Sequence, residues 1–126
     1  GLSDQIRFLG FIEDVDRLLH LSDIHCAPSV WEEPLANTAL EAKRAGVPSV
    51  LFPSGGLPEL VVEHGKDAYL CPIKSAEALE AGIQHYLDLD DDELAMRGRA
   101  ASASLSILEI SREAFTRAWA SVYAEL

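Results

Sequence analysis

The sequence predicts an α/β protein with a parallel sheet of about four strands, flanking helices and a helical tail at its carboxyl end. Short apolar runs at residues 6–11, 23–28, 47–52 and 68–72 alternate with stretches of helical periodicity. Strands that alternate with helices of about ten residues indicate parallel βαβ units. The apolar character of the strands indicates a sheet that is covered on both faces.

The size and charge of the chain restrict its class and its partners. With 126 residues, 48% of them hydrophobic and 25% charged, it is expected to form one globular domain, or part of one, over residues 1–126. The formal net charge of -11 repels phosphate backbones, and the sequence contains no cluster of lysines and arginines. Nucleic acid is therefore not expected as a partner.

The apolar runs and the two cysteines indicate where the protein is expected to reside. No apolar run approaches the roughly 20 residues that span a bilayer, so no transmembrane segment is expected. Cys26 and Cys71 lack metal-ligand spacing and are interpreted as buried free thiols. These features favour a reducing compartment and hence a cytoplasmic location.

Helical periodicity and capping residues define the elements between and after the strands. A first helix is expected over residues 14–21, a second opens at Asn37 as its cap and ends at Gly46, and a short third covers residues 59–63. Beyond the last strand the pattern is helical only. The three helices expected there run from Ser75 to about Leu87, from residues 90–92 through Met96, and over residues 107–126.

The expected sheet is smaller than usual. Doubly wound sheets have five or six strands, and the sequence offers about four. Further strands are therefore expected on the amino-terminal side of this chain.

Two carboxylates, Glu33 and Glu41, lie before and within the helix that Asn37 is expected to open. A helix N-terminus offers unpaired N–H groups and the positive end of the helix dipole, so residues 34–37 are placed to present donors to a phosphate. A carboxylate inside such a helix is suited to accept hydrogen bonds from two hydroxyls of a ribose. With 21 acidic residues in the chain, the spacing alone fits solvated side chains equally well.

The wider sequence around these carboxylates resembles a known family. Residues 27–50 read APSVWEEPLANTALEAKRAGVPSV, residues 55–61 read GGLPELV, and residues 8–11 read FLGF. Together they resemble the carboxyl-terminal, Rossmann-like domain of glycosyltransferase family 4, which comprises retaining enzymes of the GT-B fold. The resemblance extends over nearly the whole chain.

The resemblance implies a function and a set of site residues. Glu33 would lie beside the donor sugar as the catalytic residue, and Glu41 would hold the nucleotide ribose. The donor-binding residues that it implies are Pro34, Leu35, Ala36, Asn37, Glu41, Gly55 and Gly56. The donor would be a nucleoside-diphosphate sugar, with no cofactor and no metal ion.

The same resemblance implies that the chain is part of a longer enzyme. Acceptor recognition would come from an amino-terminal domain that is missing here, so the isolated chain should be inactive. The full-length protein would be cytoplasmic, either free or peripheral at the inner membrane face.

Departures from the family pattern support an alternative. Where the family often has Gly-Phe-Gly, this chain has Pro34, Leu35 and Ala36, and proline supplies no N–H. The cations that grip the diphosphate in the family normally lie upstream of residues 8–11. A degenerate, non-catalytic binding module is therefore the alternative function, and a plain tight turn is the alternative interpretation of Gly55 and Gly56.

Four other features have competing interpretations. Residues 88–90 form an Asp-Leu-Asp pattern, which is interpreted as helix capping rather than as a metal motif. His25 is expected to be a hydrogen-bonded core residue or to lie at the rim of the pocket. Trp31 either lines the pocket mouth or packs in the interior. The apolar stripe along residues 115–123 either covers the sheet or the missing domain, or forms a docking surface.

Overall fold

The structure is a computed structural model that describes residues 2–108 and 110–124, and its centre is a parallel three-stranded sheet. The strands, which pair in this order, are β1 (His25–Ala27), β2 (Ser49–Leu51) and β3 (Ala68–Leu70). Their last residues, Ala27, Leu51 and Leu70, are in register. The carboxyl ends of the strands therefore meet at one edge of the sheet, where the three following loops begin.

Helices connect and follow these strands. Within the described residues they are α1 (Val15–His20), α2 (Asn37–Arg44), a 3₁₀ turn (Leu57–Leu60), α3 (Ala76–Leu87), α4 (Asp91–Ile107) and α5 (Arg112–Ala124). The predicted α/β class, with a parallel sheet, flanking helices and a helical tail, is confirmed. None of these helices has both the length and the apolar character needed to cross a bilayer.

The sheet is covered on both faces. Leu51 of β2 packs in a cluster with Ala39 of α2 and with Leu57 and Leu60 of the 3₁₀ turn. The preceding residue, Val50, packs in a second cluster that includes Tyr86 of α3. Successive side chains of a strand point to opposite faces, so the two clusters lie on opposite sides of the sheet.

Side chains cap the N-termini of three helices. That of Ser75, where α3 was expected to open, accepts a hydrogen bond from the amide of Ala78. Asp14, expected as the first residue of α1, instead caps it, and its side chain accepts a hydrogen bond from the amide of Arg17. Asp90 and Glu93 form a reciprocal capping box at the start of α4. The interpretation of the Asp-Leu-Asp pattern as capping is therefore confirmed for Asp90.

The strand predicted at residues 6–11 is absent, so the sheet has three strands rather than about four. The side chains of Phe8 and Phe11 are 97% and 93% exposed. A strand is stabilised by hydrogen bonds to a neighbour, and among the described residues none pairs with this segment. Its apolar pattern is typical of a strand, but a pattern alone does not supply the neighbouring strand that must pair with it.

Other boundaries also differ from the prediction. Asn37 is the first residue of α2 rather than its cap, and Ala36 occupies the cap position without a side-chain hydrogen bond. The helix expected at residues 59–63 is the 3₁₀ turn, which begins two residues earlier. Helix α4 continues to Ile107 instead of ending near Met96, and α5 starts after a break. Residues 109, 125 and 126 of the expected last helix lie outside the described residues.

His25 and the cysteines are placed at the sheet. The His25 ring nitrogen Nδ1 lies 3.0 Å from the Ser49 hydroxyl oxygen, at the amino ends of β1 and β2. The predicted hydrogen bond of His25 is confirmed, although the residue is half-buried rather than fully buried, and its place at the rim of a donor pocket stays a prediction. Both cysteines are free, but only Cys71 is buried, so the prediction of a buried thiol is wrong for Cys26.

A buried ion pair connects α2 to two other parts of the fold. Nζ of Lys43, a fully buried residue of α2, lies 2.5 Å from the Asp67 carboxylate oxygen Oδ2. Nζ also donates to the hydroxyl of Ser104 on α4 over 2.9 Å. The Asp67 carboxylate accepts hydrogen bonds from the backbone amides of Val62 and Glu63. A desolvated charge is tolerated only when it is paired and hydrogen-bonded, as both charges are here.

Two glycines bring α2 and α4 into backbone contact. Gly46 ends the α2 segment with φ +74°, and Gly98 lies within α4. A Cβ atom on Gly98 would lie 2.2 Å from the Gly46 carbonyl oxygen. Only glycine at position 98 permits this approach.

Replacing Lys43 with methionine should strongly destabilise the fold, because it leaves the Asp67 carboxylate buried without its cation. We expect the free energy of unfolding, measured in urea, to fall by about 3–5 kcal/mol. The matched control is Lys66→Met, which removes an exposed lysine paired with Glu63 and should cost less than about 1 kcal/mol. Equal losses in the two variants would contradict a special contribution of the buried pair.

Stability should also depend on the protonation of His25. Burial lowers the pKa of this imidazole, so the folded state binds the proton more weakly than the unfolded state does. Stability is then greatest above the ordinary histidine pKa of about 6.5 and falls as the pH drops below it, by at most about 1.4 kcal/mol per pH unit. Urea unfolding at several pH values should show a shallower dependence in His25→Gln. An unchanged slope would refute this assignment.

Candidate functional site

The candidate site lies at the edge of the sheet where the strands end. The loop after β1 carries Glu33 and leads into α2, the loop after β2 carries Gly55 and Gly56, and the loop after β3 carries Lys74. Crevices at the carboxyl ends of parallel strands are the usual ligand sites of open α/β sheets. The sequence-predicted site residues all lie in the first two of these loops or in α2.

Hydrogen bonds fix the position of Glu33. The hydroxyl of Ser29 donates to its carboxylate oxygen Oε1 over 2.8 Å, and the side chain is half-buried. The carbonyl oxygen of Glu33 accepts a hydrogen bond from the amide of Gly56 over 2.7 Å. The Ser54 hydroxyl donates to the carbonyl oxygen of Ser29. The first loop is thus joined to the second through both side chains and backbone.

The two glycines are required by the close packing of these loops. Gly55 has φ +51°, and a Cβ atom on it would lie 2.2 Å from the Glu33 carbonyl oxygen. A Cβ atom on Gly56 would lie 2.7 Å from the Pro34 carbonyl oxygen. Both amides are also occupied, since Gly55 donates to a carboxylate oxygen of Glu32 over 2.6 Å and Gly56 donates to Glu33. Contact of these glycines with a donor remains a prediction.

The N-terminus of α2 has backbone donors available for a ligand. The amides of residues 35–38 donate to no acceptor among the described residues. Ala36 offers no capping oxygen, and Leu35 and Asn37 are exposed. Pro34 has no N–H, so it does not add to this set. Unpaired amides together with the positive end of the helix dipole form an arrangement that suits an anion.

Glu41 lies one turn into α2 and lines a separate groove. The groove has a volume of about 240 Å³, and its lining residues are Asn37, Leu40, Glu41, Arg44, Leu105 and Ile110. Glu33 is not among them. The structure therefore brings Glu41 and Asn37 together, and it groups Glu33 with the glycine loop. A single cleft shared by Glu33 and Glu41 remains a prediction.

Sequence analysis did not identify Glu32 and Lys74. The ammonium of Lys74 lies 2.9 Å from the Glu32 carboxylate oxygen Oε1 and donates to the Val30 carbonyl oxygen over 3.2 Å. The hydrogen bond from Lys74, followed by that from the Gly55 amide, holds the pKa of Glu32 below its usual value. One signal in the sequence could have located Lys74 at this edge. It lies two residues after Pro72, where the last strand was expected to end.

The aromatic side chains near the loops and on α5 are largely exposed. Trp31 is 79% exposed, so its interpretation as an interior packing residue is wrong. Along α5 the rings of Phe115, Trp119 and Tyr123 follow one another with centroids 6.0 and 5.9 Å apart. All three are exposed, and Ala114 is the buried residue of this helix. The α5 stripe therefore does not cover the sheet within the described residues.

Within residues 2–108 and 110–124, no three histidine, cysteine, aspartate or glutamate side chains are grouped so that they could hold a metal ion.

Gly55→Ala should destabilise the fold by more than the cost of placing alanine at a positive φ, because the added Cβ also clashes with the backbone of Glu33. At Gly10, which also has positive φ, +67°, a Cβ atom meets nothing within 4 Å, so Gly10→Ala should cost at most about 1–2 kcal/mol. Gly55→Ala adds the steric conflict with Glu33 and should cost about 1–3 kcal/mol more. Urea unfolding of both variants tests this. A Gly55→Ala variant no less stable than Gly10→Ala would refute the packing of the two loops.

Comparisons with known proteins agree on one family. A family model described as glycosyl transferases group 1 matches residues 1–103. Spore coat protein SA of Bacillus subtilis is 41% identical over 69 residues, which are 53% of this chain and 18% of that protein. Glycogen synthase of Mycobacterium tuberculosis is 35% identical over 102 residues, or 79% of this chain and 24% of that protein. The chain thus spans less than a quarter of the length of these relatives.

Solved structures show the same fold. Alr3699/HepE of Anabaena in complex with UDP superposes with a TM-score of 0.81 at 27% identity, over 100% of this chain and 34% of that one. Its complex with UDP-glucose matches over the same shares with a TM-score of 0.74. A glycosyltransferase of Rickettsia africae has a TM-score of 0.85 over 98% of this chain and 32% of that one, and at 22% identity it shows the fold alone. On this evidence the chain, an α/β unit with the architecture of GT-B glycosyltransferases, belongs to the glycosyl transferases group 1 family.

Proposed function

We propose that this chain is the donor-binding part of a glycosyltransferase that moves a sugar from a nucleoside diphosphate to an acceptor with retention of configuration. The observation that carries the proposal is the N-terminus of α2, where amides without a partner among the described residues adjoin the Glu33 loop and lead to Glu41. Family membership and the UDP and UDP-glucose complexes of Alr3699/HepE support the same donor class.

The roles follow from the chemistry of each group. The leaving diphosphate develops negative charge, which the amides of residues 35–38 and the helix dipole would stabilise. The carboxylate of Glu41 would accept hydrogen bonds from two ribose hydroxyls, with Asn37 in the same groove. Glu33, held by Ser29, would lie beside the donor sugar and orient it.

The remaining parts of the reaction are assigned to a longer protein. The chain spans less than a quarter of the length of the spore coat protein and of the glycogen synthase, and we propose that an amino-terminal domain binds the acceptor and supplies cations to the diphosphate. The isolated chain would then transfer no sugar. We further propose that the reaction uses no metal ion or cofactor, and that the full-length protein is cytoplasmic or peripheral at the inner membrane face. These three points rest on the resemblance to glycosyltransferase family 4.

A second candidate function is a binding module that has lost catalysis. Pro34 removes one amide from the mouth of the helix, and the amides of Gly55 and Gly56 are occupied within the chain. Both observations reduce the number of donors available to a sugar nucleotide. Titration of the full-length protein with UDP-sugars and GDP-sugars separates the two candidates, because the module would bind no nucleotide.

Substitution of the two glutamates should affect different kinetic constants. Glu33→Gln should lower kcat by about 100-fold with little change in KM, since it disturbs the orientation of the reacting sugar. Glu41→Gln should raise the donor KM by about tenfold or more, because hydrogen bonds to a charged acceptor contribute about 1.5–3 kcal/mol. Steady-state kinetics of the full-length protein measure both effects.

The matched control for these variants is Glu80→Gln, which removes an exposed carboxylate from α3, away from the three loops. It should leave kcat and KM unchanged. Wild-type kinetics in Glu33→Gln would refute the catalytic role of Glu33, and an unchanged donor KM in Glu41→Gln would refute the ribose contact.

A further inference from the structure

Lys74 joins the loop after β3 to the loop that carries Glu33. Its side chain is only 27% exposed, whereas that of its partner Glu32 is 75% exposed. The lysine side chain is therefore more covered than the carboxylate, although the pair lies at the surface. The ammonium donates both to the Glu32 carboxylate and to the Val30 carbonyl oxygen, at 2.9 and 3.2 Å.

Glu32 extends this connection to the glycine loop. One of its carboxylate oxygens accepts from Lys74, and the other accepts from the Gly55 amide over 2.6 Å. The next amide, that of Gly56, donates to the Glu33 carbonyl oxygen. Lys74, Glu32 and Gly55 thus form a chain of contacts across all three loops, here named the loop clamp.

The loop clamp contacts residues just before Glu33 and the backbone of Glu33, but not its carboxylate. Val30 and Glu32 precede Glu33, and the glycine loop packs against its backbone. The carboxylate itself has a different partner, Ser29. A change at Lys74 would therefore move the backbone from which Glu33 projects. The hydrogen bonds and the ion pair of Lys74 and Glu32 among the described residues do not include Asn37 or Glu41 of the α2 groove.

We infer that Lys74 is a positioning residue of this site, which acts through Glu32 to hold the Glu33 loop against the glycine loop. The inference rests on the transferase function proposed above. It separates the site into two parts, an α2 groove that binds the nucleotide and a clamped loop that places Glu33 at the sugar. An exposed ion pair contributes little to global stability, so its effect is expected in the geometry of the loop instead.

Kinetics of the full-length protein test the positioning role. Lys74→Met should lower kcat by about tenfold, because small misplacements of reacting groups reduce rates by up to about 100-fold. The donor KM should stay within about twofold, since the α2 groove is untouched. Lys74→Arg, which keeps the charge and the donor, should recover most of kcat. Adding Glu32→Gln to Lys74→Met should cause little further loss, because both changes break the same clamp.

Amide hydrogen exchange provides a readout that is independent of activity. In Lys74→Met the amides of Gly55 and Gly56 should exchange faster than in the wild type, because the loops separate more often. The control Lys66→Met, which removes another paired lysine on the surface, should change neither the exchange rates nor kcat.

The outcomes separate the two proposals. Unchanged kcat in Lys74→Met, or a loss that appears in KM instead, would overturn the positioning role. Wild-type exchange at Gly55 and Gly56 in that variant would overturn the loop clamp itself. A wild-type full-length protein that binds no sugar nucleotide would overturn the transferase function, and the exchange rates would then still decide whether Lys74 holds the loop.

Discussion

The placement of the site depends on the buried ion pair between Lys43 and Asp67. Lys43 lies two residues after Glu41 on α2, so the contact that fixes the helix is adjacent to the proposed ribose ligand. Asp67 precedes β3, and Ser104 belongs to α4, so one ammonium group joins α2 to two separate parts of the fold. A buried ion pair is weak evidence for stability, but its directional hydrogen bonds specify one arrangement of its partners. The direction in which the N-terminus of α2 points follows from that arrangement.

Because the chain is strongly acidic, the N-terminus of α2 matters for the binding of an anion. A net charge of -11 is unfavourable for a diphosphate, and the Lys43 cation is neutralised by Asp67. The Lys74 cation is likewise paired, with Glu32. Arg44 lines the α2 groove but is exposed and paired with Asp16. Attraction of an anion to the mouth of the helix would therefore depend largely on backbone amides. Backbone donors on a fixed helix have the further advantage that they need no reorganisation when the ligand binds.

Local chemistry in the sequence predicted much of the fold, and pairing between distant residues was harder to predict. Ser75 and Asp90 begin helices as expected, because capping depends on residues within one turn. The run at residues 6–11 has the composition of a strand but no neighbour to pair with among the described residues, and composition contains no information about partners. Lys74 was missed for the same reason, since its contacts with Val30 and Glu32 are more than 40 residues away in sequence.

The contact between Gly46 and Gly98 has a mechanical consequence. Because the backbones of α4 and of the turn after α2 touch without intervening side chains, no residue larger than glycine fits at position 98 unless the two elements move apart. Main-chain atoms, which do not change rotamer, therefore set the distance between α4 and the segment that leads into β2.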